Sequence, residues 1–296
     1  MKNFADRLIA ACEKKDSIVC VGIDPRPGLL PPLRQSLSPA EQFVAFAKDV
    51  IDAVKDVAVA VKPQSAFFEA LGSEGSRAYW EVVELARKND LLVIADVKRS
   101  DIGSTAEAYA HAYLGGSPLW NPSVDAVTVN PYLGSDGIVP FIDAAEAQGG
   151  GVFVLVKTSN PSSGELQDLV AEGRPIYEHV GRWLADHADD LLGESGYSSL
   201  GAVVGATYPE QLERLRELMP KNLFLIPGYG AQGGGAADVK PGLNADGRGA
   251  IVNASRSVIF AYRDEKWAAQ HDEADWTDAV RDAARKMRDQ LNEVRR

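Results

Sequence analysis

The chain has 296 residues, 45% of them hydrophobic and 25% charged, with a formal net charge of −11. Such a surplus of carboxylates argues against non-specific binding to nucleic acid or to an anionic membrane. The only cysteines, Cys12 and Cys20, leave no disulfide framework and no metal-ligand spacing. No apolar run reaches membrane length and no signal-peptide core is present, so a reducing cytoplasm is the expected setting.

In chain order, Asn3 to Lys14 has the spacing of an amphipathic helix, and Ile18–Ile23 is an apolar run ending in Asp24-Pro25-Arg26-Pro27. Ser38-Pro39-Ala40-Glu41 is a helix start, with a cap residue, proline at the first position and glutamate at the third; that helix is predicted to reach about Val54. Val57–Val61 reads as the second strand, running into Lys62-Pro63, and Phe67–Leu71 and Ser76–Asn89 as helical turns. Leu91–Ala95 is the third strand. Thr105–Leu114 is helical, with Ser104 and Thr105 as candidate caps. Val124–Val129, Gly151–Val156, Leu200–Gly205, Asn222–Ile226 and Gly249–Val252 are the remaining strands. Helices are expected over Gly137–Gln148, Tyr177–Leu192, Pro209–Leu218 and Ala274–Val294.

Eight short apolar strands alternating with helices imply a parallel sheet covered on both faces, and the count favours an α/β (β/α)8 TIM barrel forming a single domain over residues 1–296. Polar residues gather after the strands: Asp24, Lys62, Asp96, Lys98, Asn130, Thr158, Ser159, Gln232 and Arg256. In a barrel those positions share the C-terminal rim, where barrel enzymes place their chemistry; a packing role alone would have to make all of them coincide there.

The most charged stretch is Asp96-Val-Lys98-Arg-Ser-Asp101. Side chains alternate on an extended backbone, so Asp96 and Lys98 point the same way, and buried charges at a strand end are costly unless paired. A lone Asp-x-Lys is more often a structural ion pair than a catalytic one. Pro227-Gly-Tyr-Gly-Ala-Gln232-Gly-Gly-Gly235 follows the seventh strand and Arg256 the eighth. A glycine-rich loop alone signifies flexibility. Backbone amides in that loop beside a guanidinium fork make a phosphate site, where barrels commonly have one.

These blocks together resemble the orotidine 5′-phosphate decarboxylase family. Asp96-x-Lys98-x-x-Asp101-Ile-x-x-Thr105 is similar to its signature, with Asp24 and Lys62 completing the charged set. Lys62-Pro-Gln-Ser-Ala-Phe-Phe-Glu69, Asp101–Tyr109 and Pro227–Gly233 resemble its longer bacterial branch. Ser100 stands where glycine is usual, and the segments Asp168–Arg174 and Gly235–Arg248 carry no assignable role.

The resemblance implies conversion of orotidine 5′-phosphate to uridine 5′-phosphate in pyrimidine synthesis, with no metal and no cofactor. Lys98 would stabilise a carbanion at C6 and protonate it, Asp96 would lie by the departing carboxylate, and Lys62 and Asp24 would reach the ribose. Thr158 or Ser159 would meet the pyrimidine, Gln232 and Arg256 the phosphate. Asp101 and Thr105 would serve the neighbouring active site of a homodimer. Competing readings are a metal-dependent sugar-phosphate lyase or decarboxylase of the same superfamily, a Schiff-base aldolase using Lys62 or Lys98, and a non-catalytic nucleotide-binding barrel.

Overall fold

Each apolar run becomes one stave of a closed barrel. The computed structural model describes residues 2–32, 36–117, 119, 122–230 and 233–296. The barrel strands are β1 (Val19–Ile23), β2 (Ala60–Pro63), β3 (Leu92–Arg99), β4 (Ala126–Val129), β5 (Gly151–Lys157), β6 (Ser198–Val204), β7 (Asn222–Ile226) and β8 (Ala250–Ala254), and Val170–Ala171 with Arg174–Pro175 form a small separate hairpin. Every barrel strand pairs in parallel with the next, and β8 returns to β1 with Val252 opposite Val19. β1, β2, β4, β6, β7 and β8 are buried at every residue. This is why they read as continuous apolar runs and not as alternating ones.

The helices are α1 (Phe4–Lys15), α2 (Pro39–Val54), α3 (Ser65–Glu69), α4 (Gly72–Lys88), α5 (Gly103–Leu114), α6 (Val139–Gln148), α7 (Gly164–Gln167), α8 (Ile176–Asp186), α9 (Pro209–Leu218), α10 (Ala236–Val239), α11 (Arg256–Ile259), α12 (Glu265–Ala268) and α13 (Trp276–Arg295). The start of α2 is the predicted capping box: Ser38 N donates to Glu41 Oε2 at 2.8 Å and Glu41 N to Ser38 Oγ at 3.4 Å. Elsewhere local signals misplace boundaries. β2 begins three residues later than Val57, because Val57 N and Ala58 N still bond back to Val54 O at the end of α2 and the paired register with β1 and β3 starts at Ala60. α5 starts at Gly103 with Ile102 at its cap, so Ser104 and Thr105 lie inside the helix and cap nothing. The helix expected over 177–192 ends at Asp186 and tightens into a 3₁₀ turn over Ala188–Leu191.

The first helix closes the floor of the barrel. Phe4 is fully buried and meets Phe153 edge-on, ring centroids 5.9 Å apart. Gly151 has no side chain because a Cβ there would fall 2.4 Å from the Phe4 ring. Ala5 N donates to Ser199 Oγ at 2.9 Å, and Asp6 accepts from Glu194 N and Ser195 N. Arg7 pairs with Asp125, whose other oxygen accepts from Val93 N at 2.8 Å. With the floor filled, the mouth at the C-terminal ends of the strands is left for a site. Phe4→Ala should destabilise the protein by about 3–5 kcal/mol, read as a lower denaturant midpoint at unchanged slope.

Candidate active site

β3 carries its charges on a distorted end. The β3–β4 register slips between Ala95 and Arg99, and Lys98 takes a left-handed backbone with φ +46°. For a residue with a side chain this costs roughly 1–3 kcal/mol, and Thr128 on β4 offsets it. Its Oγ1 accepts from Val97 N at 3.1 Å and Lys98 N at 3.0 Å and donates to Asp96 Oδ1 at 3.2 Å. The twist still leaves Asp96 and Lys98 together, as alternation predicted: Lys98 Nζ pairs with Asp96 Oδ1, while Lys62 Nζ on β2 pairs with Asp96 Oδ2.

Asp96 and Lys62 are buried, their side chains 7% and 8% exposed, whereas the Lys98 side chain is 45% exposed. Burial alone would raise the Asp96 carboxyl, but the two lysines outweigh it and hold it well below the usual carboxylate range. Burial would lower the Lys62 ammonium, yet Asp96 and Asp24 together raise it. Beneath them the Cys20 thiol is pushed up to about 12 by burial and stays an inert core residue, as the sequence implied.

A cavity of about 840 Å³ opens above this cluster. Four cations line it (Arg26, Lys62, Lys98 and Arg256) against two carboxylates, Asp24 and Asp96. In a chain of net charge −11, that local excess suits a polyanionic ligand. Asp24 Oδ1, Arg26 Nε, Asn253 Oδ1 and Ser255 Oγ are buried lining atoms with no hydrogen-bond partner among the described residues. Arg26, which sequence reading passed over inside Asp24-Pro-Arg26-Pro, stacks 5.4 Å over Phe67 of α3.

At one end Pro227, Gly228 and Tyr229 face Asn253, Ser255 and Arg256. Gly230, at φ +74°, lies so close to α11 that a Cβ would fall 2.7 Å from Ser257 Oγ. Several of the loop's amides are consumed internally: Gly230 N bonds Gly234 O, Gly233 N bonds Gly230 O and Gly234 N bonds Gly228 O. Arg256, exposed at the start of α11, is thus the main charge at that end. Gln232 lies outside the described residues.

At the other end Thr158 and Ser159 both line the cavity, with Asn130, Asn160, Leu166 and Gln167. Thr158 is held by Gln167 and Asn160. Ser159 packs against Gly205, where a Cβ would come within 2.9 Å of it. Asp101 and Thr105 do not line the cavity; Asp101 Oδ1 accepts from Ile102 N at 2.9 Å and Thr105 is exposed on α5. The contributions of Thr128, Gln167 and Arg26 had one sequence signal in common: polar residues at or just beyond strand ends or in the loops they feed.

Residues 17–271 match the family model described as the orotidine 5′-phosphate decarboxylase / HUMPS family. The chain is 48% identical to the orotidine 5′-phosphate decarboxylase of Rhodopirellula baltica, over 98% of this chain and 99% of that one. It is 42% identical to the protein of that name from Deinococcus radiodurans, over 98% and 97%. The structure of Leishmania donovani OMP decarboxylase superposes with a TM-score of 0.76 at 33% identity, covering 99% of this chain and 98% of that one.

The central ion pairs fix a pH window for stability. The Asp96 pKa is lower folded than unfolded, so its contribution is present above the ordinary value of 3.8 and is lost as pH falls below it. The Lys62 pKa is raised, so its contribution is present below 10.5 and is lost as pH climbs through the folded value. Asp96→Asn should flatten the acid limb of unfolding free energy against pH. It should also cost about 3–5 kcal/mol near neutrality, because Lys62 loses its buried partner.

Proposed function

Because the chain belongs to the orotidine 5′-phosphate decarboxylase / HUMPS family, we propose that it decarboxylates orotidine 5′-phosphate to uridine 5′-phosphate in pyrimidine synthesis, as a cofactor-independent carboxy-lyase. The observation that carries this reading is Asp96, buried between Lys62 and Lys98 at one wall of a cavity whose far end holds Arg256. The substrate's carboxylate and phosphate match the cavity's excess of cations.

The chemistry is difficult because the C6–carboxylate bond leaves its electron pair in an sp² orbital of the ring, with no conjugated sink. Enzymes lower barriers by roughly 8–23 kcal/mol in typical cases, and this reaction calls on the upper end. Lys98 Nζ, paired with Asp96 and half-exposed, would face the developing carbanion in this reading. A unit charge 4 Å away at a surface-like effective dielectric contributes about 4 kcal/mol, available without reorganisation since the ion pairs already exist. As carbon dioxide departs, a proton moves from Lys98 Nζ to C6; the neutral amine regains one from water. Asp96 orients Lys98 beside the leaving carboxylate. Lys62 offsets the two aspartates, and with Asp24 it faces the ribose hydroxyls. Thr158 or Ser159 meets the pyrimidine edge, and Arg256 with Gln232 takes the phosphate, whose binding energy is spent on closing the site.

Asp101 and Thr105 complete the site of a second copy in this reading. Support comes from the neighbouring surface: Ile102 is 51% exposed and Leu133 and Val139 also lie open, which suits a homodimer face. Light scattering should give twice the chain mass of 31.8 kDa.

The decisive assay follows loss of orotate absorbance by purified protein in EDTA. Sustained turnover is expected; folded protein that turns nothing over would reject the reading, and activity lost on chelation would favour a metal-dependent sugar-phosphate enzyme. Lys98→Ala should lower kcat by roughly 10²–10⁴-fold or more with the fold retained. Arg256→Ala should raise KM by about 10–100-fold, and an unchanged KM would remove Arg256 from phosphate binding.

A further inference from the structure

Two adjacent residues at the end of β5 meet two adjacent residues in the loop beyond it. Lys157 Nζ donates to Asp168 Oδ1 at 2.6 Å and to Ser163 Oγ at 3.3 Å. One residue on, Thr158 N donates to Gln167 Oε1 at 3.0 Å, and Gln167 Nε2 donates back to Thr158 Oγ1 at 2.8 Å. The Lys157 side chain is 0% exposed while that of Asp168 is 45% exposed. The ammonium also lies 4.4 Å from the ring centroid of Tyr208. Gly164 leaves room for the arrangement, since a Cβ there would fall 2.8 Å from Asp168 Oδ2.

We propose that Lys157 and Asp168 are positioning residues that clasp the 159–167 loop over the cavity and set the Thr158–Gln167 pair against the ligand. The loop's inner face, Ser159, Asn160, Leu166 and Gln167, is cavity wall. Lys157 points beneath that wall, and among the described residues Asp168 is its one carboxylate partner. An ammonium buried without a counter-charge is strongly unfavourable. Lifting the loop therefore strands Lys157, whereas Asp168 merely gains water. This asymmetry holds the loop down before any ligand arrives. The choice of the pyrimidine edge as the group gripped rests on the decarboxylase reading; the clasp itself does not.

The test compares wild type, Asp168→Asn, Lys157→Met and the double variant. Amide hydrogen exchange of residues 159–167 is measured without ligand, and steady-state kinetics with orotidine 5′-phosphate. Asp168→Asn should speed exchange in the loop while sparing the barrel strands. It should raise KM by up to about a hundredfold, with a smaller fall in kcat. The double variant should be less impaired than Asp168→Asn alone, because the stranded charge is gone. Unchanged loop exchange in Asp168→Asn would overturn the proposal. So would losses in the double variant that simply add, or protection lost evenly across the barrel with no split between KM and kcat. Wild-type protein inactive on orotidine 5′-phosphate would defeat the decarboxylase reading alone, since the exchange measurements still decide the clasp.

Discussion

One buried carboxylate with an ammonium on each oxygen sets the character of this molecule. Asp96 could not stay ionised in its setting with water excluded and no partner; Lys62 and Lys98 keep it so. Each lysine is in turn fixed by the shared anion, and Asp24 extends the alternation to β1 through its field on Lys62. Three neighbouring strands thus supply a line of charges whose positions are fixed by the barrel's register. Bond-making groups held this way need little rearrangement as charge shifts in a reaction.

The same logic is repeated two strands further round the barrel at lower stakes. Lys157 is as deeply enclosed as Lys62, but its partner comes from a loop and sits half in water. One pair is locked between strands, the other joins a strand to the segment that follows it. The backbone follows suit: the left-handed turn at Lys98 is braced by Thr128 from the adjacent strand, and the hairpin of Val170–Ala171 with Arg174–Pro175 lies just beyond Asp168.

Much of this was legible in the sequence because strands buried on both faces write themselves as unbroken apolar runs, and because charge placed directly after such a run is conspicuous. Asp24, Lys62, Asp96, Lys98, Thr158, Ser159 and Arg256 were all visible this way, and the structure gathers them around one cavity. What escaped depended on partners far along the chain. The φ of Lys98 is decided with a hydroxyl thirty residues later. Val57 was read as strand because it is apolar, though hydrogen-bond register, not hydrophobicity, starts β2. Asp168, in a segment without periodicity, gave no hint that it answers a lysine eleven residues earlier. Asp101 stands out as part of the charged stretch and Thr105 as a candidate cap, but only the resemblance gives them a role at a site, and neither lines the cavity.

The packing of α1 has an implication for how the chain assembles as it is made. Phe4 finds its seat only when Phe153 exists, Ala5 waits for Ser199, and Val19 for Val252. α1 and β1 are therefore made well before the strands that cover them, so the apolar face of α1 stays unburied until β5 and β6 have followed. Pairing β1 with β8 joins distant parts of the chain, a topology in which loop entropy is spent well before the distant contacts repay it.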